Sequence, residues 1–204
     1  MDEMPKVTEQ RLDMLREMAN IGVGSAATSL SNMLNEEKVH MNVPQVAVEA
    51  IQEIPEYLGS PENTVGGVYI ESQNEENGID LVLLFVLSLN SVEYLVERLL
   101  PPDSANEEMK FSLLTEVGNI IAGSYLNALS FMTDKSFQSS PPKLAVDMAG
   151  AIVGTVIAET MITDDYLILL KTTIQTEKED IEGSVLILPN QGALDRLFNL
   201  MGVE

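Results

Sequence analysis

A chain of 204 residues with 45% hydrophobic and 21% charged side chains, 13 Gly and 9 Pro can build a packed core, and it lies outside the collagenous, low-complexity and disordered classes. The absence of Cys excludes thiol catalysis, iron–sulfur clusters, Cys-ligated zinc and disulfides, and one histidine, His40, is too few for a His-rich metal site. The formal charge of −21, 32 acids against 11 bases, argues against nucleic acid or an anionic membrane as partner, because no Lys/Arg cluster is present to offset the repulsion.

The acids are spread evenly, 17 with 5 bases up to residue 102 and 15 with 6 bases after it, so the charge belongs to the whole surface. Met1 to Glu9 carries three acids and one Lys with no apolar run behind it, unlike a signal peptide. The longest apolar stretches, 81–87 and 149–158, fall short of the roughly 20 residues a spanning helix needs. A cytoplasmic protein without membrane insertion is expected.

Taken along the chain, the first long helical pattern, LREMANIGVGSAATSLSNML at 15–34, returns at 114–133 as LTEVGNIIAGSYLNALSFMT. Leu15/Leu114, Glu17/Glu116, Asn20/Asn119, Ile21/Ile120, Gly24/Gly123, Ser25/Ser124, Leu30/Leu129, Ser31/Ser130 and Met33/Met132 are identical, and Pro44 answers Pro142 one residue out of step. After the first helix come a strand-like stretch at 39–48, a short helical piece at 49–58, and alternating strand patterns at 65–71 and 79–87. A helix at 91–100 opening on a Ser91 cap closes the first half. In the second half, 143–147, 148–160, 166–174, 183–188 and 192–201 take the same parts. The polar loops 73–78 and 175–182 suit hairpin connections, and Pro101-Pro102-Asp103-Ser104 is the seam. This predicts an α+β, mixed α/β fold: a duplicated α-β-β-β unit, with two long helices on a shared mixed β-sheet of pseudo-two-fold symmetry. The whole of 1–204 is expected to be one domain, with halves 8–100 and 108–201 joined by a linker at 101–107.

Advancing about 100° per residue from Leu15 puts Leu12, Ala19, Gly22, Ala26, Leu30 and Met33 on one apolar stripe. Asp13, Glu17, Asn20, Gly24 and Ser31 fall on the opposite side. The second helix repeats this, with Leu114, Gly118, Leu129 and Met132 inward and Ser112, Glu116, Asn119 and Gly123 outward. Two readings stand. The Glu and Asn are inherited solvent-facing residues, or each helix is a docking face on which Gly24 and Gly123, costing about 1 kcal/mol of helix propensity each relative to Ala, admit a close backbone. Neither Glu nor Asn is an evident nucleophile here, so catalysis would borrow machinery from whatever docks.

The G-x-G-x-x-A match at 22–27 has no strand before it and no counterpart in the second copy, so it is no dinucleotide site. His40 suits a surface or edge position. The acidic pairs 36–37, 75–76, 107–108 and 164–165 lack the spacing of a calcium loop.

These residues resemble the CheC/CheX/FliY phosphatases of bacterial and archaeal chemotaxis, whose signature is Asp or Ser, three residues, Glu, two residues, Asn, then 22 residues and Pro. Asp13, Glu17, Asn20 and Pro44 match with one extra residue before Pro, and Ser112, Glu116, Asn119 and Pro142 match without insertion. Two intact signatures resemble the CheC type, and the likeness covers nearly the whole chain. The resemblance implies hydrolysis of the phospho-aspartate of the response regulator CheY, with Mg²⁺ supplied in the CheY pocket and no cofactor or metal on this chain. It implies that Glu17 and Glu116 pair with an active-site Lys of CheY while Asn20 and Asn119 position the attacking water. Asp13, Gly24, Ser112 and Gly123 would lie in the docking surface. It also implies binding of the receptor deamidase CheD through a helix beginning near Asp147, and a mainly non-catalytic adaptor that sequesters CheD is the alternative.

Overall fold

The computed structural model describes residues 8–33, 39–101, 106–160, 165–176 and 180–203. The acidic pair at 36–37, residue 164, the middle of the 175–182 loop and most of the 101–107 seam lie outside them. The first half runs α1 (Glu9–Met33), β1 (His40–Ala50), α2 (Ile54–Tyr57), β2 (Thr64–Asn74), β3 (Ile79–Ser88) and α3 (Leu89–Leu99). The second runs α4 (Glu107–Thr133), β4 (Gln138–Ser139), β5 (Lys143–Met148), α5 (Ala149–Thr160), β6 (Tyr166–Gln175), β7 (Asp180–Pro189) and α6 (Ala193–Leu200).

The strands form one sheet in the order β1-β6-β7-β3-β2, with β4 and β5 both on the outer side of β2. Exchanging the halves reverses this order without changing it. The first strand of each half pairs with the second strand of the other, and the third strands meet at the centre, Leu84 opposite Leu186 and Phe85 opposite Val185. Each of these pairings is antiparallel, which corrects the expected mixed sheet. The reason is geometric: the hairpins β2–β3 and β6–β7 are each antiparallel on their own account, and β3 and β7 join them while running in opposite directions.

The two prolines of the repeat occupy matching irregularities on the outer strands. Between Asn42 and Gln45, either side of Pro44, β1 advances one residue more than its partner, which moves from Thr173 to Lys171. Pro141 and Pro142 separate β4 from β5, where Ser139 faces Ser72 and Lys143 faces Tyr69, again with one residue to spare. Proline cannot donate to a ladder, so both copies place it where an outer strand bulges. His40, exposed, opens β1 as expected.

Helices cover both faces of the sheet. On one, Leu15, Met18, Val117, Ile121 and Phe198 from α1, α4 and α6 pack on Leu83, Phe85, Ile168 and Leu170. On the other, Ile54, Ile152 and Val156 from α2 and α5 pack on Leu84, Leu169 and Leu186. Coverage on both sides explains why β3 is buried from Leu81 to Leu87 and does not show the half-exposed alternation expected of 79–87. Other boundaries also shift. Glu49 and Ala50 extend β1 instead of starting a helix, and Met148 ends β5. The cap of α3 is Ser88, whose Oγ accepts from the Ser91 N–H at 3.2 Å.

α1 and α4 lie side by side. A Cβ on Gly22 would stand 2.7 Å from the buried Tyr125 ring, and one on Gly118 would stand 2.4 Å from Val68. Glycine at these positions lets α1 seat on α4 and α4 seat on β2. Burial pushes the Tyr125 hydroxyl up to about 12, and its neighbour Thr172 Oγ1 at 3.5 Å counteracts this only in part.

Candidate functional site

Because α1 and α4 bury one side of each helix against the sheet and each other, their opposite sides must face solvent. Leu15, Met18, Ala19, Gly22, Val23, Ala26 and Leu30 are buried on α1, and Asp13, Glu17, Asn20 and Gly24 are exposed. On α4, Ser112, Glu116 and Asn119 are exposed and Gly123 is half-buried. Glu and Asn stand one turn apart, about 4.5 Å along each helix axis, so one partner can meet both. Ser31 departs from the expected outward set: it is half-buried, and its Oγ accepts from the Val39 N–H at 3.1 Å, tying the end of α1 to β1.

Among the described residues, the side chains of Glu17, Asn20, Glu116 and Asn119 make no hydrogen bond or ion pair. Their carboxylates and carboxamides are left to water or to a partner. Asp13 differs, since its Oδ1 holds the Arg16 guanidinium at 2.6 Å, with Glu9 3.9 Å from the same nitrogen. Sequence reasoning missed Arg16, although its spacing of three from Asp13 was the signal. At Ser112 the second helix carries no such pair among the described residues. Among the described residues nothing outside the helix's own backbone lies within 4 Å of a Cβ built on Gly24 or Gly123, so no contact there explains either glycine. Two residues on α4 that sequence reasoning also passed over, Met109 and Phe111, are 39% and 47% exposed beside Ser112.

Asp147 is exposed, but it lies in β5 and not in a helix: it pairs in register with Val65, and α5 begins two residues later. Its Oδ1 accepts from the Met148 N–H at 2.7 Å, and its neighbours Val146 and Met148 are 44% and 47% exposed. The structure therefore places Asp147 on the outer strand, apart from the Glu–Asn faces. A groove lined by Tyr57, Leu58, Lys171, Thr173, Glu182 and Ser184, among others, includes neither motif. Among the described residues no three His, Asp or Glu side chains are grouped to hold a metal ion, and no helix is long and apolar enough to cross a membrane.

Two helices presenting the same acid and amide from an antiparallel sheet with dyad-like strand order define a class of scaffold, and that class has known representatives. The CheC-like family matches residues 11–48 and 109–145, each segment holding one motif and the proline beyond it, and the resemblance to the CheC/CheX/FliY family is borne out in both halves. The CheY-P phosphatase CheC of Bacillus subtilis (strain 168) is 27% identical over 206 positions, covering 97% of this chain and 97% of that protein. The flagellar motor switch phosphatase FliY of the same organism is 26% identical over 208 positions that cover 99% of this chain and 52% of that protein, so this chain spans about half its length. The crystal structure of Thermotoga maritima FliY shares the fold, with a TM-score of 0.75 at 19% identity over 97% of this chain and 98% of that one.

Proposed function

We propose that the protein hydrolyses the phospho-aspartate of the chemotaxis response regulator CheY, using each motif helix as a docking face. The observation that carries this reading is the duplicated pair Glu17/Asn20 and Glu116/Asn119, outward in both copies and unengaged within the described chain. The kinship with a CheY-P phosphatase supports it.

In this mechanism the chain contributes orientation and the receiver pocket contributes the reactive phosphoryl group and its Mg²⁺. Glu17 or Glu116 pairs with the Lys of that pocket and fixes the helix. Asn20 or Asn119 then accepts a hydrogen bond from the water O–H with its carbonyl oxygen and holds the water oxygen in line with the phosphorus. The P–O bond to the aspartate breaks with its electron pair left on the carboxylate, the water oxygen forms the new P–O bond, and both water protons leave with the phosphate as H₂PO₄⁻, which then exchanges a proton with solvent. A neutral amide serves because holding water in an attack geometry, not removing its proton beforehand, lowers the entropic part of the barrier.

The test is Asn20→Ala combined with Asn119→Ala, followed by phosphate loss from purified phosphorylated CheY. The double variant should fold with the parent melting temperature and leave CheY to decay at its own rate. Decay at the parent's accelerated rate would end the assignment.

We propose the outer strand, where Asp147 stands between two exposed apolar residues, Val146 and Met148, as the surface for a second partner, the receptor deamidase CheD. A protein that mainly sequesters CheD would rely on this surface and not on the Asn pair. Asp147→Lys should weaken CheD association by about tenfold, the effect of losing roughly 1.4 kcal/mol. Unchanged affinity removes this surface from consideration.

A further inference from the structure

The two motif faces agree in their acid, amide and glycine but differ at their N-terminal borders. Where α4 carries Met109 and Phe111, α1 carries Gln10 and Leu12 at the equivalent positions. About 80° separates Asn119 from Met109 in one direction and from Phe111 in the other, so the two apolar side chains bracket the second motif. They remain 39% and 47% exposed, so a large apolar part of each is left open to a partner. On α1, Gln10 is exposed, Leu12 is half-buried, and the paired charges of Asp13 and Arg16 occupy the neighbouring surface.

A partner that inserts Asn119 into its own pocket must also meet these residues. Phe111 and Met109 lie about 12 and 15 Å from Asn119 along the helix axis. A specific protein interface covers about 800 Å² per side, a disc of roughly 16 Å radius. A folded receiver centred on Asn119 thus reaches both residues, and one centred on Asn20 meets Gln10 and the Arg16–Asp13 pair.

We propose that Met109 and Phe111 are specificity-determining contacts for the receiver domain at the second face, and that this apolar border makes the two faces unequal in affinity while leaving their chemistry the same. This inference rests on the phosphatase reading above. It also predicts different salt responses: the Arg16–Asp13 pair lies within about 40° of Asn20 around α1, whereas the exposed Lys110–Glu107 pair of α4, 2.8 Å apart, lies about 120–180° away from Asn119, so salt screens the border of the first face more strongly than the apolar border of the second.

The experiment isolates one face at a time. In an Asn20→Ala background, where only the second face works, Phe111→Ser and Met109→Ser should each raise KM for phosphorylated CheY by about 5- to 10-fold, equivalent to roughly 1–1.4 kcal/mol of lost contact. Their kcat and melting temperature should stay near those of the background protein. In an Asn119→Ala background, the remaining activity should start from a higher KM and fall more steeply as salt rises. An unchanged KM in both serine variants, or equal KM and equal salt dependence for the two single-face proteins, overturns the proposal. So does a Phe111→Ser variant that dissociates a dimer of the parent while keeping KM, which would make the border a contact between copies of this chain. Parent-rate hydrolysis by the Asn20→Ala/Asn119→Ala protein is a different result: it defeats the phosphatase reading itself.

Discussion

Four glycines on the two motif helices do two different jobs. Gly22 and Gly118 lie where a Cβ would overlap Tyr125 and Val68, whereas Gly24 and Gly123 look into open space. Gly22→Ala should therefore destabilise the protein by about 1–3 kcal/mol, the usual cost of forcing volume into a packed contact. Gly24→Ala, in a helix interior and free of clashes, should raise stability by up to about 1 kcal/mol through helix propensity. Urea unfolding of the two variants measures both, and equal destabilisation by both would show that Gly24 has a packing role after all. If α1 docks through its outer face, the more stable Gly24→Ala protein will also be the slower phosphatase. The outward positions of Glu17, Asn20, Glu116 and Asn119 were legible in the sequence because a 3.6-residue period fixes them whatever the fold does. The reason for Gly22 was not, because its partner Tyr125 lies on the other helix of the pair.

At the scale of elements, the long helices and most strands were readable, and the errors share a cause. Patterning reports which faces are buried, and here the sheet is buried on both. Residues 79–87 therefore form a strand with no exposed alternation, and α3 starts from Ser88 at the end of that strand. Serine at 88 and at 91 both look like caps in sequence. Only the backbone separates them, for Ser88 is extended at φ −63 and ψ 155, as a capping residue must be. Asp147 was placed at a helix start for a related reason: the apolar run 149–158 is helical, but the pairing of β5 with β2 holds the chain extended through Met148. Strand direction was beyond reach of patterning, since parallel and antiparallel partners bury the same side chains.

At the scale of the molecule, the seven strands belong to neither half alone. β1 finds its partner in β6, β5 in β2, and β3 in β7. Residues 8–100 by themselves would expose the β3 edge and the outer edge of β2, leave β1 without a neighbour, and strip α1 of α4. We expect neither 8–100 nor 108–201 to unfold cooperatively when produced alone, and the two together to recover the parent's circular dichroism and thermal transition. A cooperative monomeric transition in 8–100 alone would contradict this and favour two independent domains.

The exchange of strands also sets a timetable for biosynthesis. While a ribosome is still adding the residues up to Pro189, the nascent N-terminal half holds a hydrophobic hairpin whose central neighbour has not been made, since Leu81 pairs with Pro189 and Leu87 with Gly183. That apolar edge stays unpaired until β7 has been made, and a pairing between residues about 100 positions apart is a non-local contact of the kind that slows folding. With 17 acids against 5 bases up to residue 102 and 15 against 6 after it, each half carries its own net negative charge, which opposes association between copies while that edge is open.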